Sequence, residues 1–419
     1  MSGIKVARSV HVETPSPSER VDVRGIDYVS KDRNVLMESL SVGEQHVIRR
    51  SEDNGRTWKE VEQWRQNTPL GDGLLLEKSL PNTFFCDPDS GVSLRAFSTC
   101  HENPSVLGWD YARSPLWRTM RQYIQLSRDE GLSWSEPEQL IARGDEYDEV
   151  NWLPGVTYGK NGAMFTGSAI LKAPDGGLIV ALDGPRLFEN DDIIDPNADP
   201  ATAAPDGAVE WRAGCFFGQW REDGIGLDWT IGERFALSKK YSCDGTEEPS
   251  IAFLPDGRLL MGIRARTYPH TGQELPSLHY YAVSDDGGRT WGQPAPLLYD
   301  DDSYAYSPAC LINVLRSSKN GRFYLITNFA DGPCVNCDPR NRLYIAEIDT
   351  STFRIKKDTL TIIDQQDKDA GQPDTVRFSN YRWYENRETR NITLYCTPCG
   401  GEGEALTSNS YRYEIELPD

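Results

Sequence analysis

The sequence predicts an all-β fold, a six-bladed β-propeller built from four-stranded antiparallel blades. Three observations support this prediction: short β-rich runs separated by turn residues, a turn motif that occurs three times, and about six sets of four such runs. Radial closure protects the edges of repeated sheets, so repeats of this length indicate a propeller. We expect residues 1–419 to form one such domain.

The repeated turn motif reads Ser-x-Asp-x-Gly-x-x-Trp and occupies residues 51–58, 127–134 and 284–291. The Asp carboxylate can accept backbone N–H groups across a tight turn, the Gly tolerates a positive φ, and the Trp packs under the turn. The second gap between copies is about twice the first, which predicts a degenerate copy between them. Residues 222–229 keep its Gly and Trp. The motif therefore predicts hairpins at equivalent places in successive blades.

The strand pattern also predicts how the ring closes. The last set of strands is one strand short, whereas Lys5–Val12 precedes the first set with nothing to pair with. We therefore expect the N-terminal strand to complete the last blade. The six predicted blades span residues 21–63, 80–140, 160–235, 248–298, 308–363 and 374–417.

Charge and composition exclude several functions. The chain carries 44 Lys and Arg against 64 Asp and Glu, a formal net charge of −20, which excludes nucleic-acid binding through a basic surface. No run approaches the roughly 18 apolar residues of a membrane-spanning helix. The first ten residues lack the apolar core of a secretion signal. We therefore expect a cytoplasmic protein, unless a signal has been removed, with neither nucleic acid nor membrane as partner.

The turn motif resembles the Asp-box of the sialidase (neuraminidase) superfamily and of BNR repeat proteins. The six predicted blades and the closing N-terminal strand resemble that superfamily over essentially the whole chain. In that family the Asp-boxes lie at outer hairpins, remote from the substrate, so the function depends on the loops that enter the inner strands. The resemblance implies an exo-acting glycoside hydrolase that acts on an acidic terminal sugar, not necessarily sialic acid, and needs no cofactor for catalysis.

The resemblance also implies arginines that clamp a substrate carboxylate, a task that suits the planar guanidinium. Residues 247–264 resemble the fourth-blade pattern, in which a Glu begins the inner strand and an Arg ends the next, and this match indicates Glu248 and Arg264. Arg342 opens a third strand in the fifth blade, where the family places another clamp arginine. Arg24 lies where the family has Arg-Ile-Pro, but here the Pro is absent and the spacing differs. Arg266 is a further substrate-binding candidate beside Arg264.

The catalytic groups match the family less well. Its acid/base Asp lies on the loop between the second and third strands of blade one, where this chain offers Glu44 or Glu38. Its Tyr-Ser opening of the sixth blade is replaced by Phe378-Ser379, and Phe cannot attack an anomeric carbon. Tyr381 lies three residues further along a strand of period two, so it should point to the other face unless a bulge redirects it. Glu248 could then serve as the base of an inverting mechanism.

Two alternatives stay open at the level of the sequence. His270 follows Arg264 in an extended loop, where a histidine can perform acid/base work near neutral pH. A propeller lyase would use such a His or a Tyr to abstract a proton beside a uronate carboxylate. A non-catalytic propeller that binds carbohydrate is the other alternative. The oligomeric state is left open.

Two Cys-x-x-Cys pairs suggest a structural metal site. Cys334 and Cys337 follow the second strand of one predicted blade, and Cys396 and Cys399 follow the second strand of the next. Propeller geometry should bring these equivalent loops side by side, and four thiolates are a common ligand set for structural zinc. Cross-disulfides and free thiols are the alternatives. Such a zinc would brace loops near the pocket rather than catalyse.

Overall fold

The computed structural model describes residues 3–15, 19–105, 118–163, 170–188, 209–267, 272–369, 371–400 and 408–419. These residues form six antiparallel sheets, the blades of a propeller. This architecture confirms the predicted fold class. No helix in the described ranges has the length and apolar character to cross a membrane.

The first half of the chain supplies blades 1 to 3. The chain begins with β1 (Lys5–Val12), which belongs to the last blade, and a short hairpin extends blade 2. Blade 1 contains β2 (Val21–Tyr28), β3 (Leu36–Val42), β4 (Gln45–Ser51) and β5 (Lys59–Arg65). The hairpin consists of β6 (Asn67–Pro69) and β7 (Leu75–Lys78), and blade 2 itself of β8 (Thr83–Cys86), β9 (Ser93–Glu102), β10 (Arg121–Ser127) and β11 (Glu138–Gln139). Blade 3 contains β12 (Ile170–Lys172), β13 (Leu178–Phe188), β14 (Val209–Trp220) and β15 (Leu227–Ile231).

The second half supplies blades 4 to 6. Blade 4 contains β16 (Glu247–Phe253), β17 (Leu259–Arg264), β18 (Tyr280–Ser284) and β19 (Ala295–Pro296). Blade 5 contains β20 (Asn313–Arg316), β21 (Phe323–Thr327), β22 (Arg342–Asp349) and β23 (Arg354–Ile355), with β24 (Thr361–Gln365) also paired to β22. Blade 6 contains β25 (Arg382–Glu385), β26 (Ile392–Cys396), β27 (Ser410–Glu416) and β1.

The N-terminal strand closes the ring. β1 pairs antiparallel with β27, so that Lys5 lies opposite Glu416 and Val10 opposite Tyr411. The predicted pairing of the first strand with the last blade is therefore confirmed. This closure joins the two ends of the chain in one sheet and covers an edge that would otherwise be exposed.

The second strands of blades 4 to 6 are buried on both faces. Every residue of β17, β21 and β26 is buried, because these strands lie between the apolar layers that neighbouring blades share. Their continuous apolar runs are the sequence signal of such strands. Neighbouring inner strands, such as β2 with β8 and β25, contact one another around the centre. The space that the inner strands surround is called the central channel below.

The three copies of the turn motif join the third and fourth strands of blades 1, 2 and 4. In each copy the Ser hydroxyl donates to the Asp carboxylate and accepts the Gly N–H, at 2.7 to 2.8 Å. The Asp also accepts the N–H of the residue four positions later. In the degenerate copy Trp229 is buried, 3% exposed. These turns lie at the outer part of each blade, away from the channel.

Replacing Asp53 by alanine should lower the melting temperature by about 2 °C. The Thr57 hydroxyl and N–H donate to Asp53 at 2.6 and 2.8 Å and lower the pKa of this carboxyl to about 2. Since a lowered pKa stabilises the fold only while the carboxyl is ionised, the difference from wild type should shrink as the pH falls from 5 toward 2. Thermal unfolding followed by circular dichroism measures both effects. Asp32→Ala, at an exposed loop position, is the matched control.

Candidate active site

A β-bulge places two adjacent glutamates at the start of β16. The pairing of β16 with β17 shifts between Glu247 and Ser250, and Glu248 has a φ of +46°. This left-handed conformation costs about 1–3 kcal/mol for a residue with a side chain, and such strain is typically found at functional sites. In a regular strand successive side chains would point to opposite faces, whereas here both glutamates reach the same guanidinium.

Arg264 is the guanidinium that both glutamates hold. It ends β17 and is only 8% exposed. Its Nε lies 3.0 Å from Glu247 Oε2, and its Nη1 lies 2.5 Å from Glu248 Oε2. Burial opposes the charge, but Glu247 and Glu248 outweigh burial and raise the pKa of Arg264. The structure thus brings Glu248 and Arg264 together, and it shows the arginine already paired with carboxylates of the protein.

A second layer of charges supports this group. Arg266 Nη2 donates to Glu247 Oε2 at 3.1 Å, and Arg266 Nε lies 3.2 Å from Asp244 Oδ2. Asp183, which is 1% exposed, accepts the Glu248 N–H at 3.1 Å. Arg266, predicted to bind substrate, is buried behind Glu247, so it supports the site from within.

Two further arginines lie together in the same region of the channel. Arg382 opens β25, and its Nε donates to the Arg24 carbonyl at 2.6 Å. Burial and the Arg24 cation lower the pKa of Arg382 to about 10, while the carboxylate of Glu248 acts in the opposite direction. Arg24 is exposed and is the extra residue of a bulge in β2. Among the residues described here, no carboxylate lies within ion-pair distance of Arg24 or Arg382.

A cavity of about 100 Å³ opens in the channel between β2, β8 and β25. Arg382 lines it, and so do Asp27, Asn82 and Thr83. Burial raises the pKa of Asp27 to about 7, against the opposing effects of the Tyr28 N–H and the Arg387 cation. Asp27 can therefore hold or release a proton near neutral pH, as a general acid must. Sequence reasoning missed both Arg382 and Asp27.

Tyr381 borders the same cavity, but its hydroxyl is buried against blade 5. Its side chain is 1% exposed, and its hydroxyl donates to the Ile326 carbonyl at 2.5 Å and accepts from Asn313 at 3.1 Å. Burial raises the pKa of Tyr381 well above its usual value. The period of the strand predicted this inward direction. His270, the other predicted acid/base alternative, lies outside the described residues.

The two blade-one glutamates do not join this group. Glu38 is fully buried between blades 1 and 6, where His11 Nε2 lies 2.7 Å away and Arg49 donates to it. Glu38 therefore links blade 1 to blade 6 and does not face a substrate. It lies within β3, which continues past it to Val42, and not on a loop. Glu44 is exposed in the turn between β3 and β4.

Arg342 also lies apart from the central group. It opens β22, the third strand of its blade, where it pairs with Asp331 and donates to the Tyr344 hydroxyl at 3.1 Å. A neighbour that sequence reasoning missed, Arg340, is buried and donates to Ser379 Oγ at 2.9 Å. Neither contact places Arg342 among the charges around Glu248.

The four cysteines predicted to bind zinc do not form a tetrahedral set. Cys334 and Cys396 are buried against carbonyl oxygens of Gly332 and Ser379, whereas Cys337 and Cys399 are half-buried. The described residues contain no group of three or more His, Cys, Asp or Glu side chains able to hold a metal ion. All nine cysteines are free thiols, so the cross-disulfides are not formed either. The residues present do not fit a four-thiolate zinc site.

Comparison with solved structures agrees with this architecture. A protein of unknown function from Dyadobacter fermentans superposes with a TM-score of 0.61 at 14% identity, over 100% of both chains. The NanB sialidase of Streptococcus pneumoniae gives a TM-score of 0.57 at 12% identity, over 98% of this chain and 70% of that one. The fold is that of a sialidase-like propeller.

The same fold extends to other neighbours. The GH93 α-L-arabinofuranosidase of Fusarium graminearum gives a TM-score of 0.53 at 14% identity, over 98% of each chain. No protein-family model matches the sequence, and no curated protein matches it either. At these identities the likeness describes the backbone, so the chemistry has to be argued from the side chains around the sialidase-like channel.

Proposed function

We propose that this protein is an exo-acting glycoside hydrolase that removes a terminal acidic sugar at the central channel. The observation that carries this proposal is the strained, bulged backbone at the start of the inner strand β16, which brings Glu248 against Arg264. Solved neighbours of this fold are described as a sialidase and an α-L-arabinofuranosidase, enzymes that act on glycosides. Both neighbours support a glycosidase, and the arginines of the channel support an acidic substrate.

In this proposal Glu248 is the carboxylate that activates water. Arg264 pairs with Glu248 and fixes its direction, while Glu247 and Arg266 hold Arg264 from behind. Asp27 is the proton donor to the leaving oxygen, because it lines the channel cavity and its pKa lies near 7. Direct attack by water with two separate carboxylic groups inverts the anomeric centre.

Arg382 and Arg24 are the proposed partners of the substrate carboxylate. Two adjacent cations without a described carboxylate partner form an electrostatically unbalanced site, and a bound anion would balance it. Arg264, in contrast, already has two carboxylate partners. We therefore assign binding of the substrate carboxylate to Arg382 and to Arg24, which was itself a predicted candidate. Arg264 and Arg342 do not have this role in the proposal.

Replacing Arg382 by alanine should reduce kcat/KM about 30-fold, mainly through KM, because a hydrogen bond to a charged group contributes about 2 kcal/mol. Steady-state kinetics on an acidic glycoside measures the change. Arg65→Ala, at an exposed position of the outer strand β5, is the matched control and should leave the kinetics unchanged. An equal loss on a neutral glycoside would contradict the assignment of Arg382 to the substrate charge.

A substrate panel tests the function itself. Aryl glycosides of sialic acid, of hexuronic acids and of neutral L-arabinofuranose are incubated with the protein, together with uronate polysaccharides, and products are analysed by mass. We expect release of a free acidic sugar, with the mass of water added. An unsaturated product that absorbs in the ultraviolet would show that the protein is a lyase and not a hydrolase. Binding without any product would show a carbohydrate-binding propeller instead.

A further inference from the structure

The backbone conformation of Glu248 is unfavourable for its own sequence. Its φ of +46° lies in the left-handed region, which residues with a side chain rarely adopt. Glu248 also precedes Pro249, and the residue before a proline favours an extended conformation with a negative φ. Contacts from other parts of the chain must therefore hold Glu248 in this conformation.

The chain that leads into β16 is fixed to blade 3. The Trp211 N–H donates to the Asp244 carbonyl at 2.8 Å, and the Thr246 N–H donates to the Trp211 carbonyl at 3.0 Å. The Thr246 hydroxyl accepts the Ala213 N–H at 2.7 Å. These bonds hold the segment before β16 against β14, but they end two residues before Glu248.

Asp183 supplies the next contact from blade 3. Its Oδ2 accepts the Glu248 N–H at 3.1 Å, and the residue is 1% exposed. Asp183 lies where the pairing of β13 with β14 shifts, just before Gly184, which has a φ of +148°. A Cβ at Gly184 would lie 2.4 Å from Ala163 Cβ, so this irregular turn of the strand requires glycine. Two irregular strand segments on adjacent blades thus meet at one hydrogen bond.

We propose that Asp183 is a positioning residue for Glu248, because by accepting the Glu248 N–H it keeps the bulge that brings Glu248 to Arg264. Without this acceptor the N–H would lose its partner, and the backbone could turn to the extended conformation that a residue before proline favours. In a regular strand Glu247 and Glu248 would point to opposite faces, so only one of them could reach Arg264. The effect on catalysis rests on the proposed function, whereas the hydrogen bond does not.

Two substitutions separate the hydrogen bond from the rest of the side chain. Asp183→Asn keeps an oxygen that can accept the N–H, and Asp183→Ala removes it. Asp175→Ala is the matched control, because Asp175 accepts the Gly177 N–H at 3.0 Å in an exposed turn of the same blade. If Asp183→Ala does not fold, Asp183→Ser takes its place, since its hydroxyl ends one bond short of the carboxyl oxygen.

The structural measurement needs no substrate. The protein is labelled with 15N-glutamate, and the Glu248 amide is the NMR signal that disappears in Glu248→Gln. We expect this amide to exchange with solvent at least about tenfold faster in Asp183→Ala than in wild type. Its exchange should stay close to wild type in Asp183→Asn and in Asp175→Ala. Equal exchange in Asp183→Ala and wild type overturns the proposal.

The kinetic measurement uses the substrate that the panel identifies. Asp183→Ala should lower kcat about 100-fold and change KM less than about threefold, because a misplaced catalytic group slows the reaction of a substrate that still binds. Asp183→Asn should keep at least about a third of the wild-type kcat. Added to Glu248→Gln, Asp183→Ala should lower kcat less than about twofold further, since Asp183 acts through Glu248.

The outcomes distinguish this proposal from the proposed function. A loss of kcat that is equally large in the Glu248→Gln background, or a rise in KM alone, would show that Asp183 does not act through Glu248. Faster exchange of the Glu248 amide in Asp183→Ala, in a protein that hydrolyses no substrate, would support the hydrogen bond and refute the glycosidase. Faster exchange with full kcat would refute the positioning role.

Discussion

Replacing Glu248 by glutamine should reduce kcat by about 10²–10⁴-fold while the protein stays folded. Glutamine preserves the size of the side chain and one oxygen for Arg264, but an amide cannot take a proton from water. Arg264 would still be paired with Glu247 at 3.0 Å, so the charge of the arginine stays balanced. Initial rates on the substrate identified by the panel, together with the melting temperature, measure the two quantities.

The matched control for this substitution is Glu136→Gln. Glu136 is exposed in the loop before β11, and its amide should leave both kcat and stability unchanged. If the Glu248 variant kept more than about a tenth of the wild-type kcat, Glu248 would not be the general base. If kcat fell but ligand affinity fell equally, Glu248 would act in binding rather than in proton transfer.

The fold could be predicted because its signals are local and chemically demanding. The turn motif needs a Ser, an Asp, a Gly and a Trp at set positions, and each performs the expected contact in the structure. The closing strand could be predicted because Lys5–Val12 had no partner and the last blade lacked a strand. Both arguments use only the spacing of residues in the turn motif and the number of strands in each blade, and both can be read from the sequence.

The site could be predicted only in part, because bulges decide where inner-strand side chains point. Glu248 and Arg264 were found through the pattern at the ends of two adjacent strands. Arg382 was missed although a signal existed: if Tyr381 points into the core, the next residue must point the other way, toward the channel. The bulge that exposes Arg24 has no sequence signature of that kind.

The blade-one glutamates show a different limit. Glu38 was expected on a loop, but β3 extends to Val42, which turns the residue into a buried partner of His11 and Arg49. Partners that lie 27 and 11 residues away cannot be inferred from spacing. Arg342 met the same difficulty, since its partner Asp331 lies on a loop of irregular structure.

Replacing Asp27 by asparagine should have opposite effects on activity and stability. Asp27 lines the channel cavity, and burial raises its pKa to about 7, so Asp27 can carry a proton near neutral pH. Asparagine cannot donate a proton, and kcat should fall about 10²–10⁴-fold. In wild type, activity should decrease as the pH rises above 7, because the acid becomes ionised. In the variant this decrease should disappear from the pH profile of kcat/KM.

The stability change follows from the same pKa. A carboxyl whose pKa is raised by folding contributes stability below its unfolded value near 4, and this contribution is lost as the pH rises through about 7. Asparagine stays uncharged, so the variant should melt about 1–3 °C above wild type at pH 8 and near wild type at pH 4. Asp32→Asn on the surface should show neither change. If kcat/KM of Asp27→Asn still decreased above pH 7, the proton donor would be another group. If the difference in melting temperature between the variant and wild type did not vary with pH, Asp27 would be ionised in the folded protein.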